Sequence, residues 1–246
     1  IPIVLVPATI DNNLPGSELS IGTDTALNNA VWALDRVKES AAASKRCFVA
    51  ETMGRYCGYL ALMAGIATGA ERVYLNEETV TLADIEEDAQ LMRRSFEEGR
   101  RLFLAVRNEQ ASGLYNLEFL ERVFEQEGQG LYDVRASAIG HLQQGGSPTP
   151  FDRLLASRLT ARAMAELEDQ FREGRAKAVY VGESEDDAVI FPVERMMDQL
   201  DLAHRRPYEQ WWLQFLPMVP VVSLEEDESA VPPMPAIGPE GLGQAK

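Results

Sequence analysis

Apolar residues along this chain fall into two alternating rhythms, short continuous runs and longer stretches spaced every three or four positions. The opening run Ile1-Pro2-Ile3-Val4-Leu5-Val6 reads as a strand buried on both faces, as in the interior of a parallel sheet. A polar turn from Thr9 to Gly16 follows, and the spacing of Ala26, Leu27, Ala30, Leu34 and Val37 then predicts a helix over residues 23–40. The linker 41–44 leads to a second strand over 46–50, and the loop 51–58 feeds a helix of small residues over 59–69. A third strand at 73–75, a helix over 82–98, a fourth strand over 102–106 and a helix over 117–127 continue the alternation. Strand and helix in strict succession imply a parallel sheet covered by helices, an α/β fold built from βαβ units.

The rhythm breaks between Arg135 and Gly146, where Gly140, Gly145 and Gly146 interrupt it, and resumes with a long helix over 152–172. A short strand at 178–181 and a short helix at 193–200 follow, and the apolar Gln210-Trp211-Trp212 segment is expected to anchor the end of the fold. From Ser223 the chain turns acidic and then rich in Pro and Gly, a composition expected to form an unstructured tail over 223–246. With no internal repeat, a solenoid is not expected.

Composition narrows the function classes. The chain has 246 residues, 46% of them hydrophobic, enough to bury a sizeable core. Its 23 basic and 39 acidic side chains give a net charge of −16, which disfavours nucleic acid or an anionic membrane as partner. A phosphate-bearing ligand must be met by locally placed arginines. No apolar run approaches the roughly 20 residues that span a bilayer, and no basic region precedes the first apolar segment, so a signal peptide is not expected. Two cysteines, Cys47 and Cys57, form no disulfide framework or zinc spacing and point to a reduced, cytoplasmic setting. A chain whose first residues already form an interior strand is expected to have lost its natural beginning.

Ligands of parallel α/β sheets bind at the carboxyl ends of the strands, and the loops predicted there hold suitable chemistry. Thr9-Ile10-Asp11-Asn12-Asn13 sets a carboxylate beside a hydroxyl, fit to take a proton from an alcohol during phosphoryl transfer, although Asp and Asn are also ordinary turn residues. Met53-Gly54-Arg55-Tyr56-Cys57-Gly58 offers an arginine and glycines at a helix start, suited to a phosphate or sugar hydroxyl, or simply a solvated arginine. Glu109 is either a partner for sugar hydroxyls or a surface acid, and His141 either a phosphate donor or a structural histidine.

Together these segments resemble the 6-phosphofructokinase family. Its Thr-Ile-Asp-Asn, Met-Gly-Arg and Gly-His-x-Gln-x-Gly-Gly motifs stand in the same order at 9–12, 53–55 and 140–146, joined by Ile21-Gly22-Thr23-Asp24-Thr25-Ala26 and Ser147-Pro148-Thr149-Pro150-Phe151-Asp152-Arg153. The resemblance runs to about Pro217 and points to the ATP-dependent, A-type enzymes. It implies that Asp11 is the base toward the 1-hydroxyl of fructose 6-phosphate, with Thr9 beside it, and that Met53, Gly54 and Arg55 line the sugar and the transferring phosphoryl group. Glu109 would bind sugar hydroxyls and His141 the 6-phosphate, while Arg46 and Arg135 match positions that reach into a neighbouring subunit, so a homo-oligomer is implied. Mg²⁺ would act with ATP, its usual protein ligand and the Gly-rich donor loop lying outside this chain. Ala8, where pyrophosphate-dependent relatives carry lysine, favours ATP as donor.

Two departures complicate the assignment. Asn13 stands where bacterial catalytic sites carry a second aspartate, and Gln144 where they carry an arginine for the 6-phosphate. Both, with Arg107-Asn108-Glu109 and Gln210-Trp211-Trp212, look like the C-terminal half of the duplicated eukaryotic enzymes, which binds the activator fructose 2,6-bisphosphate. The alternative to a catalytic chain is therefore a regulatory half that binds the bisphosphate. The expected architecture is the two-lobed phosphofructokinase fold with one lobe incomplete: a sugar-phosphate lobe over 23–143, a nucleotide-side remnant over 1–22 and 144–200, and an anchoring segment over 201–222.

Overall fold

A computed structural model of the chain describes residues 1–40, 45–184 and 187–223. The linker 41–44 and the tail beyond Ser223 lie outside the described residues. Ser223 itself is buried, and its carbonyl accepts a hydrogen bond from Arg100.

The centre of the molecule is a four-stranded, wholly parallel sheet in the order β3 (Arg72–Tyr74), β4 (Leu102–Asn108), β2 (Arg46–Thr52), β5 (Asp133–Ala138). The apolar runs of β2 and β4 split by pleat between its two faces. Phe48, Ala50, Leu104 and Val106 meet α1 (Thr23–Ser40) and α2 (Tyr59–Thr68) on one side. Cys47, Val49, Phe103 and Ala105 meet α3 (Leu82–Glu97) and α4 (Leu117–Gly128) on the other. Burying each large apolar side chain stabilises this sandwich by about 1.5–3 kcal/mol. Helix starts are set locally: Thr81 and Asp84 form a reciprocal capping box on α3. The buried Asp152 accepts from the Gly22 and Thr25 amides at the start of α1 (both 2.8 Å).

A second, three-stranded sheet runs in the order β1 (Ile3–Leu5), β6 (Ala178–Ser184), β7 (Asp187–Pro192), with α5 (Pro150–Arg172) packed on it. It corrects the reading of the first residues. β1 pairs with β6 alone among the described strands, so it is an edge strand; Val4 packs toward α5 while Ile3 and Leu5 are 50% and 42% exposed. The sheet is also mixed, because β7 returns antiparallel to β6.

The interrupted stretch after Arg135 belongs in part to β5, a strand the sequence pattern missed. It pairs with β2 on one side only, and its alternation of polar and small residues leaves no apolar run to read. Beyond it lies a 3₁₀ helix, Gly140–Gln144. The chain closes with α6 (Val193–Asp198), the hairpin β8 (Leu200–Asp201) and β9 (Arg206–Pro207), a 3₁₀ helix Trp211–Phe215 and α7 (Met218–Val222). Trp212 is buried against Tyr59 of α2, rings edge-on at 5.9 Å.

Candidate active site

The carboxyl ends of β2 and β4 carry the loops in which the chemistry gathers. Directly after β2, Gly54 has φ +135° and Arg55 φ +51°, so the chain turns through two left-handed residues before α2 begins. A Cβ on Gly54 would sit 2.3 Å from the Cys57 carbonyl oxygen, so only glycine fits the turn. Holding Arg55 in this region costs about 1 kcal/mol, and neighbouring side chains offset that by binding the loop's backbone. Met53 N donates to Gln143 Oε1 (2.7 Å), Arg55 N to Glu109 Oε1 (2.7 Å), and Gly58 N to both oxygens of Glu77 (3.0 and 3.1 Å). Asn108 Nδ2 donates to the Cys57 carbonyl (3.2 Å).

Opposite this loop stands Asp11. Its amide donates to Thr9 Oγ1 (3.2 Å), a short turn closed by the hydroxyl. Asn12, in the left-handed region, then ties the following turn by donating from Nδ2 to the Glu18 carbonyl and accepting from the Ser20 amide at Oδ1. The Asp11 carboxylate is buried and lies 3.7 Å from the Arg55 guanidinium, whose side chain is 64% exposed. Burial pushes the Asp11 carboxyl above the ordinary aspartate value; Arg55 pulls it down and Glu109 adds a smaller upward push. A carboxylate raised above its ordinary pKa thus faces a cation whose side chain reaches solvent.

The family profile described as Phosphofructokinase matches residues 1–167.

The chain belongs to the phosphofructokinase family.

ATP-dependent 6-phosphofructokinase, muscle type, of Homo sapiens is 41% identical over 237 residues, covering 92% of this chain and 30% of that protein. The Canis lupus familiaris enzyme of the same name matches at 41% over the same shares. Among solved structures, phosphofructokinase from Saccharomyces cerevisiae superposes with a TM-score of 0.86 at 33% identity, over 91% of this chain and 31% of that one. A pyrophosphate-dependent phosphofructokinase from Marinobacter aquaeolei, 15% identical, shares the fold at a TM-score of 0.63 over 89% of this chain and 60% of its own. The chain therefore spans about 30% of the length of the curated relatives it matches, and it corresponds to their C-terminal part.

Within this phosphofructokinase-family chain, Thr9, Asp11, Met53, Gly54, Arg55 and Glu109 come together around one turn. His141 and Gln144 lie on the adjoining 3₁₀ helix with their side chains exposed. That helix is joined to the turn by Gln143, between them in sequence but fully buried. Arg46 and Arg135 are not brought to this site. Arg46 opens β2, six residues before its last, which at about 3.3 Å per residue is roughly 20 Å from the Met53 end. Its guanidinium donates to the Ser40 carbonyl (3.3 Å). Arg135, in β5, donates to its neighbour Val134's carbonyl and lies 3.9 Å from Asp133. Asn13 is turned away, donating to the Arg205 carbonyl (3.1 Å).

The side chains that hold the turn were not singled out from sequence. Asn108 had a signal in its place beside Glu109. Gln143 and Glu77 had none, one sitting beside an identical residue and the other in an acidic loop that reads as solvated. A cleft of about 760 Å³ lies nearby, lined in part by Asn12, Glu18, Phe191, Arg195, Tyr208 and Trp211, and its lining includes neither Asp11 nor Arg55.

Proposed function

We propose that this chain supplies the sugar-phosphate site and the catalytic base of a 6-phosphofructokinase. Fructose 6-phosphate binds between the Thr9–Asp11 turn and the Met53–Arg55 turn. The 1-hydroxyl gives its proton to the Asp11 carboxylate as its oxygen attacks the terminal phosphorus of ATP; the new P–O bond forms as the bond to the ADP oxygen breaks, leaving fructose 1,6-bisphosphate. Arg55 balances charge on the phosphoryl group in transit, Glu109 accepts from sugar hydroxyls, and His141 and Gln144 donate to the 6-phosphate. The observation that carries the reading is the buried Asp11 carboxylate, raised in basicity, 3.7 Å from Arg55 on a turn whose backbone is already fixed. ATP as donor is supported by the names of the relatives. Among the described residues no cluster of three or more His, Cys, Asp or Glu could hold a metal ion; Mg²⁺ would act with ATP, held by residues outside this chain. Arg46 and Arg135, displaced from Asp11, support a homo-oligomer in which they serve a neighbour's site. The two free, buried cysteines support a cytoplasmic setting.

A second reading is favoured by the exposed, neutral Gln144 and by Asn13 being engaged with Arg205: a regulatory half that binds fructose 2,6-bisphosphate without turning over. Calorimetric titration with each sugar phosphate separates the two. Tighter binding of the monophosphate, with turnover in the full-length protein that Asp11→Ser abolishes, is the expected result. Preference for the bisphosphate with turnover indifferent to Asp11→Ser sinks the catalytic assignment in favour of the regulatory one.

A further inference from the structure

We infer that Arg206 is a positioning residue for the Met53–Gly58 turn, acting through the β8–β9 hairpin as a strap across the candidate site. Arg206 Nη1 donates to the Tyr56 carbonyl and to Asn76 Oδ1 (2.9 Å) and pairs with Glu77 Oε1 (3.0 Å). Glu77 in turn accepts from the Gly58 amide with both oxygens. One ion pair therefore holds the turn's main chain on either side of Cys57, by a carbonyl and by an amide. The pair is enclosed, the Arg206 and Glu77 side chains being 13% and 4% exposed. Enclosed pairs contribute little net stability over apolar side chains of the same size, because desolvation offsets the attraction. What this one provides is direction: a single guanidinium nitrogen, Nη1, faces a carbonyl, an amide oxygen and a carboxylate at once.

The same hairpin touches the loop that carries Asp11. The Arg205 carbonyl accepts from Asn13 Nδ2, and the His204 ring stands edge-on to Tyr56 at 6.1 Å. The strap thus joins the loop that bears Asp11 to the turn that bears Arg55, through an element more than 140 residues along the chain from the turn it holds. That Arg206 affects ligand binding rests on the sugar-site reading above. That it holds the turn does not.

The test uses the full chain with Arg206→Met and Arg206→Lys. Hydrogen exchange is followed at the amides of residues 53–58 and, as a reference, in α4; fructose 6-phosphate is titrated calorimetrically. In Arg206→Met, exchange at 53–58 is expected to speed up by about tenfold with α4 unchanged. Fructose 6-phosphate should bind about tenfold more weakly, because the turn that would meet it is no longer held in place before binding. Arg206→Lys should recover part of both. Unchanged exchange in the turn overturns the inference, as does a rise spread evenly over turn and α4, which marks a merely structural pair. Should Arg206→Met fail to fold, the double variant Glu77→Gln with Arg206→Met removes both charges while leaving an acceptor for Gly58, and the same two exchange outcomes decide. If the unaltered chain binds no fructose 6-phosphate, the sugar-site reading fails while the exchange result still decides whether Arg206 holds the turn.

Discussion

The Met53–Gly58 turn and the 140–146 turn both bear residues proposed to meet the sugar phosphate, yet they differ in how much of their support comes from outside: each has internal main-chain bonds, the first a short one from Cys57 N to the Gly54 carbonyl (2.8 Å). In the first, the amides of Met53, Arg55 and Gly58 all donate to side chains from elsewhere in the fold, and a backbone carbonyl is held by Asn108. The second is held largely by its own main chain, through long bonds from Leu142 N to the Ile139 carbonyl and Gly145 N to the Leu142 carbonyl, both 3.4 Å. Its outside supports are Asn29, which donates to the Gly145 carbonyl (2.7 Å), and the plugged-in Gln143. On the sugar-site proposal, the contrast follows from what each turn would do. A group beside a reacting atom has to be fixed before the ligand arrives. A phosphate at the far end of the sugar can be met by side chains that settle on it.

The glycines give the sharpest way to break that comparison. At Gly54 an added methyl would overlap the Cys57 carbonyl and meet Asn108 Nδ2 at 2.9 Å, in a conformation L residues rarely adopt. Gly140 also has a positive φ, +54°, but nothing lies within 4 Å of the position a Cβ would take. Gly54→Ala should therefore cost on the order of 3 kcal/mol and Gly140→Ala about 1 kcal/mol. Urea unfolding of the two variants checks this, and equal losses would mean that the two turns are equally constrained.

Charge at the fixed turn gives a smaller, signed effect. Burial raises the Asp11 carboxyl, Arg55 lowers it and Glu109 raises it. Arg55→Met should thus move the Asp11 titration to higher pH, and Glu109→Gln, which still leaves an oxygen for the Arg55 amide, to lower pH; carboxyl NMR during a pH titration reads both. Because the folded value lies above the unfolded one, the stability linked to this group is complete below the unfolded value and is lost as pH rises through the folded value. Arg55→Met pushes that loss to higher pH and deepens it, while Glu109→Gln does the reverse. Identical Asp11 titrations in all three proteins would mean that the facing groups are not coupled.

How much of this was readable from sequence depended on whether the signal was local. β2 and β4 were legible because a strand covered on both faces needs an unbroken apolar run, and they have one. β5 was not, being an edge strand whose Asp133-Val134-Arg135-Ala136-Ser137-Ala138 pattern answers to solvent as much as to the core. β1 misled in the other direction, since its apolar run says nothing of how many neighbours it has. At the site, Asp11, Arg55 and Glu109 could be named because their residue types suit the chemistry. Gln144 was singled out only through the motif it shares with the family; residue type alone does not separate it from Gln143, which the 3₁₀ helix turns inward to Met53 while Gln144 faces outward. Glu77 and Arg206 meet only because the fold brings residues far apart in sequence into contact.

The smallest effect on stability falls on the self-supported turn. His141 is exposed on a helix whose own bonds are long, so His141→Ala should change unfolding stability by no more than about 0.5 kcal/mol. If the side chain meets the 6-phosphate, the same substitution should weaken fructose 6-phosphate binding by about 1.5–3 kcal/mol, the range for a hydrogen bond to a charged group, and leave binding of fructose itself unchanged. The two measurements separate in a way Gly54→Ala cannot, because there fold and site fail together. A loss of stability that matches the loss of binding would place His141 among the supports of the turn and not among its contacts with the ligand. Retained stability and retained affinity together would remove it from the site, leaving Gln144 to meet the phosphate as a neutral donor, which is the arrangement the regulatory reading requires.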